Sequence, residues 1–136
     1  MVRNTGMPTS ASSLFLVVCA VVFSLGYGLP LTFVPLTWAR HFGWEVRRDG
    51  DGGDPLTVYL GRCLGCVILS VAAVAVRVAW LPVAQPMLLE LLALAFGSMT
   101  VVHVVGWLQR TQPLRETLEL PGYVVLTALA LWLRYG

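Results

Sequence analysis

The sequence predicts an all-α fold, an integral membrane four-helix bundle. Three observations predict it. Of 136 residues, 57% are hydrophobic and only 12% are charged, where soluble domains carry about a quarter charged residues. Apolar stretches recur at about residues 13–38, 56–80, 87–109 and 118–135. The first three exceed the ~20 residues that a helix needs to cross a ~30 Å hydrocarbon layer. The polar segments between them are short. So little charge cannot coat a globule in polar groups, and lipid must cover much of the surface. One domain is expected at this length: a flexible tail over residues 1–12 and a single transmembrane domain over 13–136.

The tail, MVRNTGMPTSAS, is polar and broken by Pro8. A signal peptide is the competing reading, because Arg3 precedes an apolar run. That run continues to about Trp38, too long for a signal h-region, and no small-x-small cleavage site interrupts it. The first crossing therefore starts at Ser13. Gly26, Gly28, Pro30 and Pro35 predict a kink or a helix end near Leu29, because proline removes a hydrogen bond and clashes with the preceding turn. In lipid such a break needs neighbours that satisfy the freed carbonyls. A second short segment over 30–38 should then lie at the interface, with Trp38, Phe42 and Trp44 forming an aromatic belt.

Residues 39–55 are the most polar stretch, with Arg40, Arg47 and Arg48 set against Glu45, Asp49, Asp51 and Asp54. The DGDGGD run lacks the spacing and closing glutamate of an EF-hand loop. It reads as a flexible turn, with Asp54 as N-cap and Pro55 at the first helical position. The second crossing carries Arg62 and Arg77 near its two ends. Residues 81–86 reverse the chain. The third crossing has Glu90 near its start and His103 near its end. Residues 110–122, RTQPLRETLELPG, are polar and amphipathic, and Pro121-Gly122 should interrupt the fourth crossing early. Four crossings put both termini on one side.

Every basic residue is arginine, and the net charge of +2 is too small for a nucleic-acid partner. Arg40, Arg47, Arg48, Arg110 and Arg115 outnumber Arg3, Arg77 and Arg134. The positive-inside rule therefore places the 39–55 and 110–117 segments in the cytoplasm and both termini outside.

Ionisable groups inside spans are functional candidates by default. Antiparallel threading puts Arg62 at the depth of His103, below Glu116 and Glu119, with Tyr59 and Trp107 near. This group reads either as a pocket for an anionic or quinone-like ligand, or as a structural tie between the second crossing and residues 110–119. Arg77 and Glu90 form a second, structural, intramembrane polar pair. Neither the other histidine, His41, nor any acid stands at ligand spacing from His103 along the chain, so no metal site is expected. Cys63-x-x-Cys66 has the spacing of a thiol redox pair, but it sits in an apolar helix and reads as structural. Gly61-x-x-x-Gly65 is the small-x-x-x-small pattern of close helix packing, with Gly97 or Gly26 and Gly28 as its candidate facing partners.

FVPLTWARHFGW at residues 33–44 and YLGRCLGCVIL at residues 59–69, with the Gly61-Arg62 step followed by Gly65, resemble the DoxX-like group of small bacterial membrane proteins. The resemblance implies a four-helix bundle, and the localisation expected for the chain is a bacterial inner membrane. Some members of that group are linked to membrane oxidoreductase assemblies. It transfers no catalytic residue.

The function expected from these readings is a non-catalytic accessory or scaffold component of a membrane complex, redox in character, with the lipid bilayer and other membrane proteins or a second copy as partners. The alternatives are a quinone- or small-ligand-binding redox protein built on Arg62, His103, Glu116, Glu119 and Tyr59, and a small proton-coupled transporter using Glu90. The sequence names no cofactor and shows no nucleophile–base pair or phosphate-binding loop.

Overall fold

A computed structural model describes residues 10–46 and 55–136. The described chain is helical with no strand. In order it forms α1 (Ala11–Phe23), a wide π-helical turn (Ser24–Gly28), α2 (Leu29–Phe33), α3 (Pro35–His41), α4 (Pro55–Val78), α5 (Gln85–Gln109), α6 (Leu114–Thr117) and α7 (Leu120–Tyr135). Four stretches are long and apolar enough to cross a membrane: Ala11–Phe33, Pro55–Val78, Gln85–Gln109 and Leu114–Tyr135. The all-α expectation is met. Of the predicted tail, residues 1–9 lie outside the described residues. Ser10 is the N-cap of α1, its side chain accepting from the Ser13 N–H. Ala11 and Ser12 are already helical, so the helix starts earlier than the 1–12 tail allowed. Asp54 also lies outside the described residues, while Pro55 does open α4.

The first crossing does not end at Leu29. The chain absorbs Pro30 by widening one turn, in which the Leu29 N–H bonds to the Ser24 carbonyl five residues back. Single π turns inside α-helices accommodate local mismatch in this way. Pro30 has no N–H to give to the Gly26 carbonyl. The Trp38 indole Nε1 donates to that carbonyl instead, at 2.9 Å. The real break comes at Val34 (φ −136°, ψ 53°), immediately before Pro35. From there α3 folds back so that the Trp38 ring packs at a tilt against both Phe42 and Tyr27. Pro121 causes no interruption either. It lies in the first turn of α7, where a missing N–H leaves no bond unmade.

The helices assemble as two pairs. α1 and α2 lie along α4, and α5 lies along α7. The first pair is close because its residues are small. A Cβ on Gly65 would stand 2.6 Å from the Thr32 backbone nitrogen and 2.8 Å from the Gly28 carbonyl oxygen. One on Gly61 would stand 2.8 Å from Pro35 Cβ, and one on Gly28 would stand 2.8 Å from Leu69 Cδ2. Gly97 is not part of this contact; its nearest neighbour is Thr127 on α7, at an ordinary 3.8 Å. The two pairs meet in a core of Leu16, Cys19, Ala20, Ala72, Ala75, Val78, Leu88, Leu89, Leu92, Phe96 and Tyr123. At the 79–84 turn the buried Ser13 hydroxyl donates to the Ala79 carbonyl (2.8 Å). The Gln85 amide donates to both Ser13 Oγ and the Ala79 carbonyl, at 3.0 Å each. That knot ties the start of α1 to the α4–α5 reversal without using a charge. Around this core many large apolar side chains point outward, among them Leu60, Leu64, Val67, Leu94, Val101 and Trp132.

Two substitutions test this packing by thermal unfolding in detergent. Gly65→Val is expected to lower stability by ~1–3 kcal/mol, the usual cost of overpacking, whereas Gly26→Ala, with nothing within 4 Å of the added carbon, is expected to leave it unchanged. Trp38→Phe keeps the ring contacts but orphans the Gly26 carbonyl, and is expected to cost ~1–3 kcal/mol.

Candidate functional site

α5 ends at Arg110, which adopts a left-handed conformation (φ 54°) and sends its N–H back to the last turn. The chain then doubles over the end of α5. Gln112 lies across that turn, its amide donating to the His103 carbonyl (3.1 Å) and the Thr117 hydroxyl (2.9 Å). Gly106 makes room for it: a Cβ there would lie 2.9 Å from Gln112 Cδ. This reversal carries the short α6 over the α5 terminus and lowers Glu116 onto His103.

The result is a compact polar group between α5, α6, α7 and the segment after α3. His103 is buried (4% exposed) and Glu116 nearly so (9%). His103 Nε2 lies 3.5 Å from Glu116 Oε2. The other ring nitrogen, Nδ1, is 2.8 Å from the Met99 carbonyl. A carbonyl only accepts, so Nδ1 carries a proton, and Nε2 is the nitrogen that faces Glu116. Among the described residues that Nε2 has no hydrogen-bond partner. Glu116 Oε1 accepts from the Trp44 indole at 2.8 Å. Glu119 Oε2 accepts from the Tyr123 hydroxyl at 3.4 Å, and the His103 and Tyr123 rings lie 4.9 Å apart. One ligand atom each from His103, Glu116 and Glu119 falls within 4.8 Å of the others. The reading of no metal site rested on distance along the chain, and the reversal at 110–113 removes that ground.

The rest of the sequence-predicted site is elsewhere. Arg62 and Tyr59 are exposed on α4 and stand outside this group. Arg62 makes no ion pair among the described residues, so the expected arginine–carboxylate cluster is not formed. Arg115 donates to the His41 carbonyl and not to an acid. The intramembrane pair is also different. Arg134 Nε lies 3.7 Å from Glu90 Oε2, and the exposed Arg77 is not its partner. Cys63 and Cys66 are exposed free thiols on α4, while Cys19 is buried.

Beside Glu119 a cleft of about 270 Å³ opens between α1 and α7. Val18, Val22, Phe23, Leu118 and Leu126 give it apolar walls, and Glu119, Tyr27 and Tyr123 supply its polar groups. Sequence reasoning missed Tyr27, Tyr123, Trp44 and Gln112 as site residues. The available signal was general: a buried tyrosine or tryptophan needs a partner for its polar tip.

No family model, curated protein or solved structure matches the chain.

The clamp on α6 makes a local prediction. Gln112→Ala removes two hydrogen bonds, worth ~1–3 kcal/mol together. Hydrogen exchange of a peptide covering 114–117, followed by mass spectrometry, is expected to accelerate roughly 5- to 100-fold on the same ground, with the α4 amides unchanged.

Proposed function

We propose that this chain is a multi-pass membrane protein that holds an apolar-tailed, quinone-like ligand in the cleft between α1 and α7. The observation that carries the reading is the composition of that cleft. Its walls are aliphatic and aromatic, and Glu119, Tyr123 and Tyr27 supply acceptors and donors among them. Ligand pockets commonly combine apolar walls with a few placed polar groups. A quinone has that pattern: a ring with two carbonyl acceptors on a hydrocarbon tail. A tyrosine hydroxyl can donate to such a carbonyl, and the tail can lie along Val18, Val22 and Leu126 toward lipid.

The setting proposed for this binding is an accessory role, without catalysis of its own, in a membrane redox assembly of the bacterial inner membrane. The DoxX-like resemblance of residues 33–44 and 59–69 supports that setting. Proton-coupled transport through Glu90 has less support, because Glu90 already faces Arg134.

Gly122 offers a clean test. It lines the cleft, and a Cβ there meets nothing within 4 Å. Gly122→Leu should therefore fill the cleft while leaving the fold intact. The full chain in detergent is titrated with a short-chain ubiquinone analogue, and quenching of tryptophan fluorescence is read. Saturable binding by the wild type, weakened at least about tenfold in Gly122→Leu, is expected for a filled apolar pocket. No saturable binding, or equal binding by both proteins, overturns the reading.

A further inference from the structure

We propose that His103, Glu116 and Glu119 form a binding site for one divalent transition-metal ion of the zinc class. The site shares Glu119 with the adjoining cleft but uses none of its apolar walls. Four observations carry it.

The donors converge. One imidazole nitrogen and two carboxylate oxygens lie within 4.8 Å of one another. Ligands around a zinc ion, at ~2.0–2.2 Å from the metal, are separated by about 3.3 Å. Small side-chain rotations close the difference.

Each donor side chain already has a hydrogen-bond partner of its own. His103 Nδ1 is fixed by the Met99 carbonyl, Glu116 Oε1 by the Trp44 indole, and Glu119 by the Tyr123 hydroxyl. Outer hydrogen bonds that orient ligands and fix the histidine tautomer are the usual support of a metal site. Here they come from three different elements.

The second ring nitrogen is buried without a hydrogen bond among the described residues. His103 is 4% exposed, and its Nε2 faces Glu116. Either a proton on Nε2 or a metal ion between Nε2 and the carboxylate makes this contact attractive, and the titration below distinguishes the two.

Among the described residues the two acids have no arginine partner. Two carboxylates meet here, and no arginine among the described residues pairs with either: Arg115 is on the His41 carbonyl, Arg134 is on Glu90, and Arg62 is exposed. Unpaired charge in a low-dielectric setting is expensive. A divalent ion would balance both acids. Imidazole with carboxylates favours zinc, iron or manganese over the softer ions that prefer thiolate. Three protein ligands would leave a coordination position open for water or another small donor.

The test uses the full chain in detergent, stripped with chelator and titrated with Zn²⁺ against a chelating dye, with Co²⁺ as the optical probe. The exposed Cys63, Cys66 and His41 are the competing ligands, so a Cys63→Ser, Cys66→Ser protein is run in parallel. One equivalent should bind to both proteins, with Co²⁺ bands free of thiolate charge transfer. His103→Ala and Glu116→Gln should weaken binding about 100-fold or more. Trp44→Phe, which touches only the support of Glu116, should weaken it ~10- to 100-fold. Far-ultraviolet circular dichroism checks that each variant is folded. If His103→Ala does not fold, Glu119→Gln, an isosteric change at a half-buried position, carries the same test. Absence of stoichiometric binding, binding indifferent to His103→Ala or Glu119→Gln, or binding lost with the two cysteines each overturns the site. Gly122→Leu should bind metal normally, so failure here and failure of the cleft reading are told apart.

Discussion

The arrangement depends on how closely the first crossing can approach α4. Lipid provides no hydrophobic drive to bring two helices together, so association rests on van der Waals fit and on satisfying polar atoms. Gly61 and Gly65 give α4 a side with no side chains, and Gly28, Thr32 and Pro35 lie against it. The contact lets backbone meet backbone. It also sets where the widened turn and the α3 return must go, and so where Trp38 meets Gly26. Trp44, a few residues further along, then reaches Glu116. The polar group around His103 is therefore downstream of a packing contact on the opposite helix pair.

The two ends of the bundle are closed by different chemistry. At the 79–84 turn, neutral groups of Ser13, Gln85 and the Ala79 carbonyl satisfy one another completely enough to be buried. At the other end the closure uses an imidazole, two carboxylates, an indole and a phenol. A neutral knot holds its geometry whatever ions surround it. An assembly of acids needs a counter-charge to be fully stable, which is why the second end is the one that invites a ligand.

Much of this was legible in the sequence. The number of crossings and their approximate limits follow from apolar run length alone. Gly61-x-x-x-Gly65 announced close packing, and the need for a donor to the carbonyl freed by proline was readable, though not that Trp38 would supply it. Three things were not legible. Whether Pro30 ends a helix or widens it depends on what α4 and Trp38 offer in space. Glu90 had two arginines available at its depth, and choosing Arg134 over Arg77 depends on the rotation of α4 against α5 and α7, which no periodicity encodes. The direct contact of His103 with Glu116, inside a group that the depth estimate had already assembled, depends on a left-handed residue at Arg110, where a non-glycine gives no signal. Arg62 was drawn into the same group because depth was estimated without facing direction.

The wide turn at Ser24–Gly28 has a consequence for how this chain can change length. A π turn is an α turn carrying one surplus residue. Deleting one residue there would let the helix close to its ordinary pitch while the residues on either side keep their facing, so Leu16 and Cys19 would stay in the core. Deleting a residue from the regular turns of α1 would instead swing everything upstream by about 100° and slide it by about 1.5 Å. The segment is thus a slack turn: a residue can be lost there without changing which side chains face inward, and one lost in α1 changes it.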